Sequence, residues 1–362
     1  MWQEAITAVQ SNNESWITQH RRHFIKFFRE QNIKPKGKLN KTALQEHYNT
    51  RLFKMYLPKA LGGLELPLHI GSRWIENAST LDSNWGWLLA IGTGGAYFAD
   101  YMPSTIAEKF FLPEEALVAG SGKPDGKAVN RNNGFKVVSG TWSYCSGAEQ
   151  ASLFTAVVPA EQGNLAVILP VDKVEIIRDW NAIGLPLTCS HTIVAKEITV
   201  SEEYFFDLTQ TPRKSTYPLA TYPFLLFARA CFVPVLIGIS LSFWKEVESL
   251  LIEKETVWKK YQPERYKYVK ERMEDFASRV LELKEDFYST LEESWKEHQS
   301  GGDLQEKELS EKSFEIADHC YRSSAEILPV LGMNVLDQTH PIQLLWQDLQ
   351  TAGQHAVFQN YV

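Results

Sequence analysis

The stretch Val138-Ser139-Gly140-Thr141-Trp142-Ser143-Tyr144-Cys145-Ser146-Gly147 decides how this chain is read. Val137 and Val138 are β-branched and suit a pleated surface, so the segment predicts a strand that ends in a loop. Gly140 and Gly147 permit turns that a side chain would block. Between them stand an indole, two serine hydroxyls, a phenol and a thiol. Such a loop can lay an aromatic face and several donors along a flat heterocycle. The same residues also fit a β-hairpin with an aromatic cross-strand residue.

Around this stretch, from Leu117 to about Phe206, short period-two runs predict strands at 117–119, 135–142, 153–158, 165–169, 174–178 and 193–200. Turn residues separate them, at Pro124-Asp125-Gly126, Asn132-Asn133-Gly134 and Gln162-Gly163-Asn164. Upstream the pattern is helical. Trp16, His20, Phe24, Phe27 and Phe28 recur at helical spacing. Lys34-Pro35-Lys36-Gly37-Lys38 is a breaker. A helix from Lys41 to about Lys54 leads into the Pro58 to Gly63 turn, and one further helix carries Ala78 through Trp87. Downstream of Tyr217 four helices are expected, near 224–258, 263–298, 304–327 and 341–361. The second has a bundle seam of Val269, Met273, Phe276, Val280, Leu283, Phe287 and Leu291. The expected fold class is α+β, mainly α. A helical domain spans residues 1–112, a β-barrel or sandwich 113–212, and an up-and-down four-helix bundle 213–362.

The 362 residues, 44% hydrophobic and 22% charged, suit a globular protein of two or three domains. A net charge of −7 argues against a nucleic-acid partner. The most apolar run, Phe224 to Phe243, is interrupted by Arg229 and Pro234 and reads as a buried helix rather than a membrane span. No secretory leader is visible at Met1-Trp2-Gln3-Glu4. Cys145, Cys189, Cys231 and Cys320 lie far apart without metal spacing, so free thiols, a cytoplasmic setting and no metal site are expected.

The strand Gly134-Phe135-Lys136-Val137-Val138 followed by Ser139-Gly140-x-Trp142-x-Tyr144-x-Ser146-Gly147 resembles the flavin-facing segment of the acyl-CoA dehydrogenase superfamily. It is closest to that superfamily's flavin-dependent monooxygenase branch. Four further segments carry the resemblance along the chain. These are the Pro58-Lys59-Ala60-Leu61-Gly62-Gly63 turn, Ala78-Ser79-Thr80-Leu81-Asp82-Ser83-Asn84-Trp85, Gly184-Leu185-Pro186-Leu187-Thr188-Cys189-Ser190 behind Trp180, and Pro341 through His355. The resemblance implies the three-domain architecture above and a flavin, FMN or FAD. It implies that Trp142, Ser143 and Ser146 line the isoalloxazine, with Ser83, Trp85 and Ser190 completing the pocket. His355 would be the catalytic acid–base group, two helical turns after Asp348 on nearly one face. An ordinary histidine pKa suits that role, with activity rising through roughly pH 6 to 8. It further implies a small aromatic or heteroatom substrate, a separate flavin reductase as partner, and a homo-oligomer, expected to be a tetramer.

Two departures keep other readings open. Gln347 stands where the family carries arginine. Ala119-Gly120-Ser121-Gly122-Lys123-Pro124 replaces the dehydrogenases' Thr-Glu-Pro-x-x-Gly-Ser, and no glutamate marks a dehydrogenase base. The leading expectation is a monooxygenase fed with reduced flavin. The alternatives are an acyl-CoA dehydrogenase-like enzyme with an unidentified base and a non-catalytic member of the fold.

Overall fold

The computed structural model describes residues 2–31, 41–131, 134–161, 163–213, 217–302 and 304–358. The expected breaker at Lys34 to Lys38, with Asn132, Asn133 and Gln162 of the expected turns, lies outside them. Among the described residues six α-helices come first: α1 (Trp2–Gln10), α2 (Glu14–Gln31), α3 (Lys41–Asn49), α4 (Leu68–Leu81), α5 (Ser83–Gly94) and α6 (Ser104–Phe111). Eight strands follow: β1 (Val118–Pro124), β2 (Lys127–Arg131), β3 (Phe135–Cys145), β4 (Leu153–Ala160), β5 (Gly163–Pro170), β6 (Glu175–Ile177), β7 (His191–Ser201) and β8 (Phe205–Phe206). Four helices close the chain: α7 (Phe224–Tyr261), α8 (Pro263–Ser300), α9 (Glu306–Leu331) and α10 (Pro341–Ala352).

The β region is a sandwich of two four-stranded sheets, ordered β1-β4-β5-β8 and β2-β3-β7-β6. Val138, Trp142, Phe154, Val167 and Ile193 fill the space between them. β2 and β8 escaped the sequence reading. β2 is almost wholly exposed and so lacks an alternating pattern, and β8 has two residues.

Three expected helices are shorter or divided. The helix expected from Lys41 to about Lys54 ends at Asn49, and Arg51, left-handed at φ +57°, breaks it before a single turn at Leu52–Lys54. The segment through Ala78 to Trp87 is two helices, because Asp82 is extended at φ −155° and its carboxylate caps α5 by accepting the Trp85 N–H at 2.9 Å. The last helix stops at Ala352 instead of running to Tyr361. By contrast α7 continues through Pro234 for 38 residues. A proline lacks the N–H that would bond four residues back, to the Ala230 carbonyl. Here the Ser72 hydroxyl donates to that carbonyl instead, at 2.7 Å, and ties α4 to α7. Close approach of the same helices needs small residues. A Cβ on Gly238 of α7 or on Gly86 of α5 would collide with Ser79 of α4. These contacts seat α5 between the bundle and the sandwich. α7 alone among the described helices has the length and apolarity to cross a membrane, and most of its apolar window is buried within the chain.

Candidate active site

β3 delivers the central loop. It pairs with β7 up to Trp142 opposite Ile193, then the register shifts before Cys145 meets His191. At that bulge Tyr144 takes φ +64°, a conformation non-glycine residues seldom adopt, and its side chain stands 74% exposed. Two more left-handed residues face it from the β6–β7 connection, Leu185 at φ +52° and Cys189 at φ +46°. Backbone strain of this kind gathers where surrounding structure holds a site in place.

The connection is held from both sides. The Leu185 N–H donates to Asp348 of α10 at 2.7 Å, and the Leu187 N–H to Asn84 of α5 at 2.9 Å. Gly184 lies so close to α10 that a Cβ there would strike the Gln347 carbonyl. The Gly147 N–H donates to the Thr188 carbonyl at 2.7 Å and joins the two loops.

Between the loops runs a row of hydroxyls. Trp87 Nε1 donates to Ser146 Oγ at 2.9 Å. Ser146 Oγ lies 2.7 Å from Ser190 Oγ, and Ser190 Oγ lies 2.7 Å from Thr188 Oγ1. Thr188 Oγ1 donates to the Leu185 carbonyl at 2.8 Å. At the other end the Trp87 ring meets His355 edge-on, centroids 5.6 Å apart, and His355 stacks on Phe232 of α7 at 4.2 Å.

His355 lies just past the end of α10 and not on the helix itself, so the expected shared face with Asp348 does not arise. Asp348 is buried and engaged by Leu185. Burial against Phe232 and Trp87 pushes the His355 pKa down to about 4, below the neutral value expected of a base. Burial is its one cause; no charged group contributes. The Val357 N–H donates to Nδ1 at 3.3 Å, which leaves the proton of the neutral ring on Nε2.

The expected site residues divide sharply. Ser146, Ser190 and His355 come together through Trp87. Ser143 is half-buried on β3, on the opposite face of the strand from Trp142, and Ser83 is buried at the start of α5. Trp142 and Trp85 belong elsewhere. Trp142 has no exposed surface, lies in the sandwich core, and donates Nε1 to the Val157 carbonyl at 2.9 Å. Trp85 is equally buried, among Trp2, Phe24 and His47. Neither side chain presents surface. Trp87, Thr188 and Phe232 were missed. Helical spacing signals the first, since Ser83 and Trp87 are four apart on one face of α5 while Trp85 points away. Phe232 has no local signal; only the fold brings it to His355.

The same arrangement of domains occurs in solved structures. The HsaA monooxygenase from M. tuberculosis superposes with TM-score 0.83, 16% identity, and coverage of 99% of this chain and 95% of that one. XiaF from Streptomyces, solved with FADH2 and glycerol, gives 0.81 at 17% identity over 98% and 93%. FMN-bound TdsC from Paenibacillus gives 0.72 at 14% identity over 98% and 94%. By sequence the chain is 23% identical over 314 residues to the indole-3-acetate monooxygenase of Acinetobacter baumannii. It is 25% identical over the same length to that of Pseudomonas putida, and in both cases 84% of this chain aligns with 80% of the relative. The chain shares the fold of these flavin-dependent monooxygenases, and the relatives it resembles by sequence are named as monooxygenases. No protein-family profile matches it. The segments quoted from the sequence meet here at the junction of α5, the sandwich and α10, where the hydroxyl row lies.

Proposed function

We propose that this chain is the oxygenase component of a two-component monooxygenase that takes reduced flavin from a separate reductase and oxygenates a small aromatic substrate. The observation that carries the reading is the junction at Trp87, whose N–H ends a buried hydroxyl row and whose ring faces His355. The residues fit a flavin. Ser146 and Ser190 keep unused oxygen lone pairs, Trp87 and Phe232 supply apolar walls, and Ser143 and Tyr144 leave surface at the strand end. Reduced flavin supplies the two electrons with which one oxygen atom of O2 enters the substrate and the other leaves as water.

The chain's own part is to bind, orient and exclude water. Ser146, Ser190 and Ser143 would hold the flavin edge. Trp87 and Phe232 would keep the reacting face dry. His355, neutral with its proton on Nε2, would donate a hydrogen bond to an oxygen atom of the reacting pair, and so serves as a donor rather than a base. The relatives named for indole-3-acetate favour a flat aromatic substrate. We infer a homo-oligomer as well, because Ile252, Val257 and Tyr261 stand exposed along the distal half of α7.

The test is anaerobic titration with reduced FMN and reduced FAD, then admission of O2 with and without an aromatic acid. Tight binding followed by oxygen-dependent product supports the proposal. Flavin reduction by an acyl thioester without a reductase would replace it with a dehydrogenase. Failure to bind either flavin would leave a scaffold.

A further inference from the structure

The hydroxyl row has a fixed direction, and counting its protons gives it. Four contacts link Trp87, Ser146, Ser190, Thr188 and the Leu185 carbonyl. The indole N–H and three hydroxyls carry one proton each, so each contact takes one proton. The indole nitrogen only donates and the carbonyl only accepts. Thr188 must therefore spend its proton on Leu185, Ser190 on Thr188, and Ser146 on Ser190. No hydroxyl proton remains to point outward. What Ser146 and Ser190 keep is one lone pair each.

The Leu185 end sets this direction. Its carbonyl also accepts Trp180 Nε1 at 2.9 Å and, more loosely, the Thr188 N–H at 3.3 Å, while its own N–H is held by Asp348. Reversing the row would leave Trp87 still bonded to Ser146 but break the bond from Thr188. Thr188 is fully buried, so its own hydroxyl acts on Ser146 only through Ser190.

We infer that Thr188 is a positioning residue which holds Ser146 and Ser190 as hydrogen-bond acceptors, so that the site selects a flavin presenting an N–H. This rests on the flavin reading above. Reduced flavin carries an N–H on its central ring where oxidised flavin has a bare acceptor nitrogen. An acceptor row matches the first and opposes the second. Product flavin is thereby discharged after turnover, and the row works as a redox discriminator built from neutral groups.

The experiment measures affinity for FMN and for dithionite-reduced FMN by anaerobic calorimetry on the full chain, in the wild type, Thr188→Val, Thr188→Ser and Ser190→Ala. The wild type should bind the reduced form more tightly. Thr188→Val and Ser190→Ala each free a Ser146 or Ser190 proton to point outward, and the reduced-to-oxidised preference should fall about tenfold, the size of one hydrogen bond at about 1.4 kcal/mol. Thr188→Ser keeps the hydroxyl and should keep the preference. If Thr188→Val fails to fold, Ser190→Ala carries the test. An unchanged preference in both variants, with normal binding, overturns this inference alone. Equal loss of both affinities overturns it too, because that marks a merely structural Thr188. Absence of wild-type binding in either redox state overturns the flavin reading and this inference with it.

Discussion

Phe232 stacks on His355 with ring centroids 4.2 Å apart and planes inclined by 29°. One residue comes from the N-terminal part of the bundle's first helix, the other from just past its last. The stacking removes water from the imidazole, and a charged imidazolium pays for that loss. Hence the ring stays neutral down to a pKa of about 4, against an ordinary 6.5.

The acid limb of the pH–rate profile should follow that pair. With the pKa lowered, the neutral ring persists as pH falls and is lost only near pH 4, so turnover should vary little on account of His355 between pH 8 and 5.5. Phe232→Ala admits water to the ring, and the limb should move up toward 6.5. An acid limb that stays in place in the Phe232→Ala enzyme would separate the stacking from the titration.

His355→Ala removes the Nε2 donor. Turnover should fall by about 10²–10³-fold, the scale of one preorganised hydrogen-bond donor at a reacting oxygen. Reduced-flavin affinity should change by less than about threefold, since the serines and not His355 meet the flavin edge in this arrangement. Coupled product yield against hydrogen peroxide release is the measurement. A variant that keeps both rate and coupling makes His355 a packing residue.

Trp142 offers the opposite case. Its indole N–H is committed to Val157 inside the sandwich. Trp142→Phe should lower stability by about 1 kcal/mol or slightly more, the net worth of one buried hydrogen bond plus some lost packing. Flavin affinity should stay within about twofold of the wild type. A variant of normal stability with flavin affinity reduced tenfold would return Trp142 to the site.

The domain order was legible because each region carries its own period: the seam from Val269 to Leu291 repeats every three or four residues, and β3 alternates. Ser146 and Ser190, which the structure brings together, were singled out through motif resemblance. Trp85 was chosen over Trp87 because a motif position took precedence over helical phase, and Asp82, which ends one helix and caps the next, resets that phase. The depressed pKa of His355 could not be read, since it arises from Phe232, 123 positions earlier in the chain. The direction of the hydroxyl row needed distances, because Thr188, Ser190 and Ser146 share no local spacing that would reveal which one donates.

Beneath α5, the helix that carries Trp87, the buried pair Glu76 and Lys284 joins α4 to α8 at 2.5 Å. Both side chains are less than a tenth exposed, and Arg73 lies over the neighbouring Tyr288 ring at 4.1 Å. Desolvating two charges offsets most of their attraction, so the pair itself contributes little net stability. Removing one partner is another matter. Lys284→Met leaves Glu76 buried without its countercharge and should cost about 3–5 kcal/mol, and Glu76→Leu should cost a similar amount by stranding Lys284. The double variant strands neither, so it should lie within about 2 kcal/mol of the wild type, far from the sum of the singles. Urea unfolding of the four proteins closes the cycle. Additive losses would mean that the two groups act separately, through water or through other partners. A double variant that regains stability should also regain reduced-flavin affinity, because α4 would again hold Ser79 against Gly86 and keep Trp87 in reach of Ser146.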